Sequence, residues 1–188
     1  MARPLSPEKR DAILAAATEV IAEQGVSAPT AKISKLAGVA EGTLFTYFHS
    51  KDAMLNALYV ALKTELGVSM GKRYPSTKGE KERARHLWNR YVQWGAKAPL
   101  KYRALRQLAV AECITEESRQ LGRACLGQMC DVLLDGAAAR SGLSPEFAGA
   151  LFGAVADTSL DLATREPKRS RQYTRAGFEA FWRAVGGK

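Results

Sequence analysis

The stretch that decides the fold is AGVAEGTLFTYFHSK, residues Ala37–Lys51. A glycine turn leads into Phe45, Tyr47 and Phe48, and a Ser–Lys pair closes the run. Gly38 permits a left-handed turn after a short helix over about Thr30–Leu36, in which Ile33 and Leu36 face inward. A third short helix follows over about Glu41–Phe48. Leu44 and Phe48 stand i, i+4 and share its apolar face, with Val39 plugging the same core. Two short helices joined in this way form a helix-turn-helix, whose second helix fits the major groove of double-stranded DNA. Glu41, Gly42, Thr43, Phe45, Thr46 and Tyr47 then lie on or near its outer faces. Gly42 is a poor helix former, which suits a backbone that must come close to a partner. Lys51 opens the fourth helix, where free amides and an ammonium together hold a phosphate. His49 is either a solvated loop residue or a further contact. Aromatics at helical spacing are also what an ordinary core looks like, and Leu44 and Phe48 belong to the core on either reading.

Outward from this stretch the pattern is helical nearly throughout, with no repeat and no strand-like alternation. Ser6 caps a first helix with Pro7 and Glu8 in its first turn, and Ile13, Leu14, Ala17, Val20 and Ile21 trace its apolar stripe up to Gly25. Ser50 caps a fourth helix in which Met54, Leu55, Leu58 and Leu62 share a face. The segment Gly67–Gly79 is rich in breakers and reads as a loop. Amphipathic helices follow near 80–95, 99–113 and 116–139. Ser144-Pro145-Glu146 opens another over about 145–163, and a last one spans about 168–185. The expected architecture is all-α with about nine helices. A DNA-binding domain covers 1–50, and a C-terminal domain covers 51–188, with helix 51–66 linking the two.

Composition narrows the function. The 188 residues carry a net charge of +9, which points to an anionic partner. The charge is unevenly spread: residues 1–51 hold six basic and five acidic residues, whereas 72–106 hold eleven basic and two acidic. The basic segment reads as a solvated face, or as an attractor for an anionic effector or for DNA without sequence preference. The three cysteines form no CxxC pair, so neither a disulfide framework nor a zinc site is indicated. No signal peptide or membrane span is evident, and the cytoplasm is the expected compartment. With two histidines, no phosphate loop and no metal spacing, an enzyme, a cofactor and a metal site are all unexpected. Asp157 and Asp161 read as ion-pair partners for arginines such as Arg171 or Arg175.

The run KRDAILAAATEVIAEQGVSAPTAKISKLAGVAEGTLFTYFHSKDAML, residues 9–55, resembles the N-terminal DNA-binding domain of the tetracycline-repressor (TetR) family. Order, spacing and chemistry agree over four consecutive helices. The resemblance implies a homodimeric repressor that binds a near-palindromic operator and is released by a small-molecule effector. It places Thr43, Thr46, Tyr47 and Lys51 where family members contact phosphates or bases, Glu41 and Gly42 at the groove-facing start of the recognition helix, and Thr30 near the start of the second. Four positions depart from the family pattern. Ala40 stands where Ser is usual, Phe45 where Tyr is frequent, Glu41 where a basic residue is common, and Pro29 where Thr is usual. The last leaves Ser27 or Thr30 to serve the second helix.

For the C-terminal half the resemblance implies an effector pocket and a four-helix interface between copies. Trp88, Tyr91, Trp94, Met129 and Phe152 are the candidate pocket residues, with an ordinary helical core as the competing reading. Gly149 and Gly153, with Ala150 and Ala154, make one side of the 145–163 helix small. Together with Phe178, Phe181 and Trp182 they are the expected dimer interface. A nonspecific or architectural DNA-binding protein using the 72–106 segment is the alternative function.

Overall fold

The computed structural model describes residues 5–186, excepting the side chains of 128–135, 137, 138 and 140. Among the described residues the chain forms nine α-helices: α1 (Pro7–Gln24), α2 (Thr30–Leu36), α3 (Glu41–Tyr47), α4 (Lys51–Gly71), α5 (Glu80–Lys97), α6 (Pro99–Ala109), α7 (Glu116–Ser141), α8 (Pro145–Arg165) and α9 (Ser170–Ala184). A 3-10 turn, Pro167–Arg169, precedes α9.

The predicted start signals act as expected. The Ser6 hydroxyl accepts from the Lys9 amide, Ser50 from Ala53 and Ser144 from Phe147, each satisfying an orphan donor of the first turn. Boundaries shift where packing overrides the breakers. α4 runs on to Gly71 because Leu66 and Met70, one turn apart, are both buried, so only the second half of the expected 67–79 loop is a loop. α6 ends at Ala109 rather than at 113. In α7, Gly127 leaves helical geometry with φ 64°, a kink the helical pattern concealed.

The chain divides into two compact units, one of residues 1–64 with 98–123, the other of 65–97 with 124–188. The helix-turn-helix expected over 1–50 is therefore part of a larger body that includes α6. In this first unit α1 packs on α6 and α2, and its predicted stripe from Ile13 to Ile21 is buried. Asn56 ties α4 to the loop after α6: its amide donates to the Cys113 carbonyl at 2.8 Å, and its carbonyl accepts from the Thr115 amide at 2.9 Å. Burying apolar side chains of this size contributes roughly 1.5–3 kcal/mol each, which fixes the short helices to the long ones.

The second unit is built on α8 against α9, with α5 across them. A side chain at Gly177 would collide with the Ser159 hydroxyl, so this glycine sets the close approach of α9 to α8. The core is aromatic. Trp88 stacks on Phe181 with centroids 6.2 Å apart and meets Phe152 edge-on at 5.3 Å, and its indole donates to the Thr174 carbonyl at 2.9 Å.

Candidate nucleic-acid interface

The α2–α3 turn is a backbone construction. The amides of Ala37, Gly38 and Val39 bond back to Ile33, Lys35 and Ser34, closing α2, while Gly38 takes φ 67°. That conformation is open to glycine at little cost and strained for other residues. α3 then starts without a side-chain cap, as Ala40 predicts, and α2 likewise starts on Pro29 with none. Thr30 does not cap α2. Its hydroxyl donates to the Glu41 carboxylate at 2.5 Å, linking the starts of the two helices. Glu41 thus sits in the first turn of α3, where the helix dipole favours an anion.

Leu44 is fully buried and Phe48 nearly so, with the Arg10 guanidinium 5.4 Å from the Phe48 ring centre. These anchors leave the rest of α3 outward. Glu41, Gly42, Phe45 and Thr46 are exposed, and Thr43 and Tyr47 are half-buried. The Thr46 hydroxyl donates to the Gly42 carbonyl at 3.0 Å and keeps its lone pairs for another donor. Tyr47 is held from outside the motif: its hydroxyl accepts from the Ser6 amide at 2.9 Å, pinning α3 to the start of α1 and leaving the phenolic proton for a partner. A Cβ at Gly42 would meet nothing within 4 Å, so no contact inside the protein requires glycine there. His49 is exposed, and Lys51 is half-buried at the first position of α4.

The structure thus brings Thr43, Thr46, Tyr47, His49 and Lys51, with the exposed ring of Phe45, into one short segment, and engages Thr30 and Glu41 with each other. One expectation here is corrected. Leu36 is 52% exposed rather than inward, because the seven-residue α2 buries only Ile33 and Ser34. The Ser6 tether and the Arg10–Phe48 contact were not foreseen. Both join residues about 40 apart, and helical periodicity holds no signal for them.

The second unit places its predicted residues differently. Trp88 and Trp94 are buried, and Tyr91 and Phe152 pack ring to ring at 5.5 Å. The Trp94 indole donates to Glu65 at 3.1 Å, and the Tyr91 hydroxyl to Asp157 at 3.1 Å. Asp157 is therefore bonded to Tyr91 instead of Arg171 or Arg175. The Met129 side chain lies outside the described residues. A cleft opens between α5 and α9, and Trp88, Tyr91, Trp94 and Phe152 do not line it. Phe178, Phe181 and Trp182 are buried within the single chain, where they hold α9 to its neighbours. Gly149 and Gly153 are half-buried on α8, and a Cβ at Gly153 would meet nothing within 4 Å. Among the described residues no group of three His, Cys, Asp or Glu could hold a metal ion, and no helix is long and apolar enough to cross a membrane.

A buried-anchor helix presented after a glycine turn, on an all-α frame, is a helix-turn-helix, the arrangement that DNA-binding regulators of that class use. Residues 13–58 match the sequence profile of the bacterial regulatory proteins of the tetR family. Over 94% of its length the chain superposes on a tetR family transcription regulator from Shewanella sp. PV-4, covering 97% of that chain at a TM-score of 0.82 and 26% identity. The FadR regulator of Bacillus subtilis, solved with stearoyl-CoA, shares the fold at a TM-score of 0.69 and 20% identity, over 93% of this chain and 98% of that one. The fatty acid metabolism regulator protein of B. subtilis strain 168 is 48% identical over 48 residues, 25% of each chain. The matched span thus covers about a quarter of that curated relative. Residues 13–58 thus carry the DNA-binding-domain signature of the tetR family, and the chain as a whole shares the fold of a tetR family regulator.

Proposed function

We propose that the protein is a homodimeric, ligand-responsive repressor that reads a near-palindromic operator in the cytoplasm. The observation that carries this reading is the division of α3: Leu44 and Phe48 are buried while Glu41, Gly42, Phe45 and Thr46 face out. Thr43, Thr46 and Tyr47 supply hydroxyls to phosphates and base edges, and Phe45 supplies an apolar contact such as a thymine methyl group offers. Lys51 and His49 add contacts to the backbone. Gly42 lets the helix start approach the groove closely. Thr30 and Glu41 act as a pair that sets the α2–α3 angle, with Glu41 free to accept from a cytosine amino group.

Two copies are needed to read two half-sites about one DNA turn or more apart. Support for an interface on α8 and α9 comes from their exposed faces. Ala150 and Ala154 on α8, and Ala176, Ala180 and Ala184 on α9, are small and exposed at helical spacing. An effector in the C-terminal half acts only through a difference in affinity for two separations of the modules. The rival, a sequence-independent binder using residues 72–106, has less support. Lys81 and Arg85 are paired to Glu179, and Arg90 donates to the Ser69 carbonyl, so three of its cations are engaged internally.

Footprinting on random genomic fragments tests the proposal. A short protected palindrome is expected, and protection without sequence preference, lost steeply with salt, overturns it.

A further inference from the structure

The cleft between α5 and α9 has a volume of about 510 Å³, within the range of small-ligand sites. Its apolar surface is Val92 and Ala96 from α5 and Phe178 from α9. Arg85 bonds to Glu179 at 2.7 Å and lies 4.9 Å from the centre of the Phe178 ring, while Lys81 meets the same carboxylate at 3.2 Å. Glu179 is thereby neutralised, and its charge does not oppose an anion. Arg171 and Arg175 also line the cleft. They are one turn apart on α9, both exposed, and neither has a hydrogen-bond or ion-pair partner among the described residues. Like charges at this spacing repel along a helix, so the pair weakens α9 unless an anion lies between them.

We propose that this cleft binds a small organic anion with an apolar body, its head held by Arg171 and Arg175 and its body lying on Phe178, Val92 and Ala96. The guanidinium forks match carboxylate and phosphate oxygens in pairs, and the two heads share that chemistry. Asn89 and Gln93 on α5 supply neutral hydrogen bonds from the facing wall. The site is separate from the proposed interface between copies, because Arg171, Arg175 and Phe178 fall on a different side of α9 from Ala176, Ala180 and Ala184. Any effect of the ligand on DNA rests on the regulator reading above; the binding itself does not.

Titration calorimetry on the full chain with octanoate, octyl phosphate, octanol and octylammonium tests the site. Octanoate or octyl phosphate should bind at least about tenfold more tightly than octanol or octylammonium, and whichever is tighter identifies the preferred head. The R171Q/R175Q double variant should lose that preference while keeping helical content and DNA affinity. Equal binding of octanol and octanoate, no binding of either anion, or full affinity in the double variant overturns the proposal. Tight octanoate binding with unchanged DNA affinity supports the site and overturns only its coupling to the operator.

Discussion

Two aromatic clusters in this molecule have opposite fates. In α3, Phe45 is 41% exposed, Tyr47 is half-buried and tethered, and only Phe48 is core. In the second unit Trp88, Phe178, Phe181 and Trp182 are all buried. Helix length explains the difference. α3 has seven residues, so one i, i+4 pair completes its contact with the body and the remaining positions face away. α5 and α9, of 18 and 15 residues, each present a long stripe to a common core. An aromatic cluster thus stays partly exposed on a short anchored helix and packs into the core on a long one.

The largest test of that contrast is Phe181→Ala. It should cost about 3–5 kcal/mol in denaturant unfolding, as core truncations do. A loss under about 1 kcal/mol would remove the ring from the core. Trp182→Asp should likewise unfold the second unit rather than separate intact copies. The interface is better probed by Ala154→Glu with Ala180→Glu, which should leave helicity intact and give monomers in sedimentation; a persistent dimer would move the interface elsewhere. Tyr47→Phe removes only the acceptor for the Ser6 amide and should cost about 1 kcal/mol of thermal stability. Unchanged stability would make that tether incidental. Gly42→Ala sharpens the comparison from the other side. With open space at that Cβ it should stabilise the helix by up to about 1 kcal/mol yet weaken DNA binding, and unchanged DNA affinity would mean the backbone does not approach the groove there.

The smallest effect concerns pH. Hydrogen bonds from Lys81 and then Arg85 hold the Glu179 carboxyl below the usual carboxylate range. A depressed folded-state value gives stability that is present above the unfolded value and lost as pH falls through the folded one. Glu179→Gln should therefore flatten the acid side of a melting-temperature profile and leave the neutral side nearly unchanged. An unaltered acid limb would mean that the pairing does not persist in solution.

Much of the first unit was legible because its signals are local: Ser6 and Ser50 as caps, Gly38 as the turn, Leu44 and Phe48 as anchors. The α2 pattern misled at Leu36, since a seven-residue helix has too few turns for periodicity to choose a face. In the second unit the residue types alone left their direction open. Tryptophan and phenylalanine serve a pocket wall, an interface and a core equally well, and only the mutual orientation of α5, α8 and α9 decides among them. That orientation depends on Gly177, whose role appears in the collision with Ser159 and not in any sequence pattern.

The central claim is that sequence recognition resides in α3 and the start of α4 and not in the basic 72–106 segment. Its most direct test is the affinity of two variants for a fragment selected from a random DNA library by the unaltered protein. Thr43→Ala with Lys51→Ala should lose about a hundredfold or more and all preference for that fragment, while Lys97→Gln, Lys101→Gln and Arg103→Gln together should lose only a few-fold, equally on any DNA. The reverse order of losses would contradict the account.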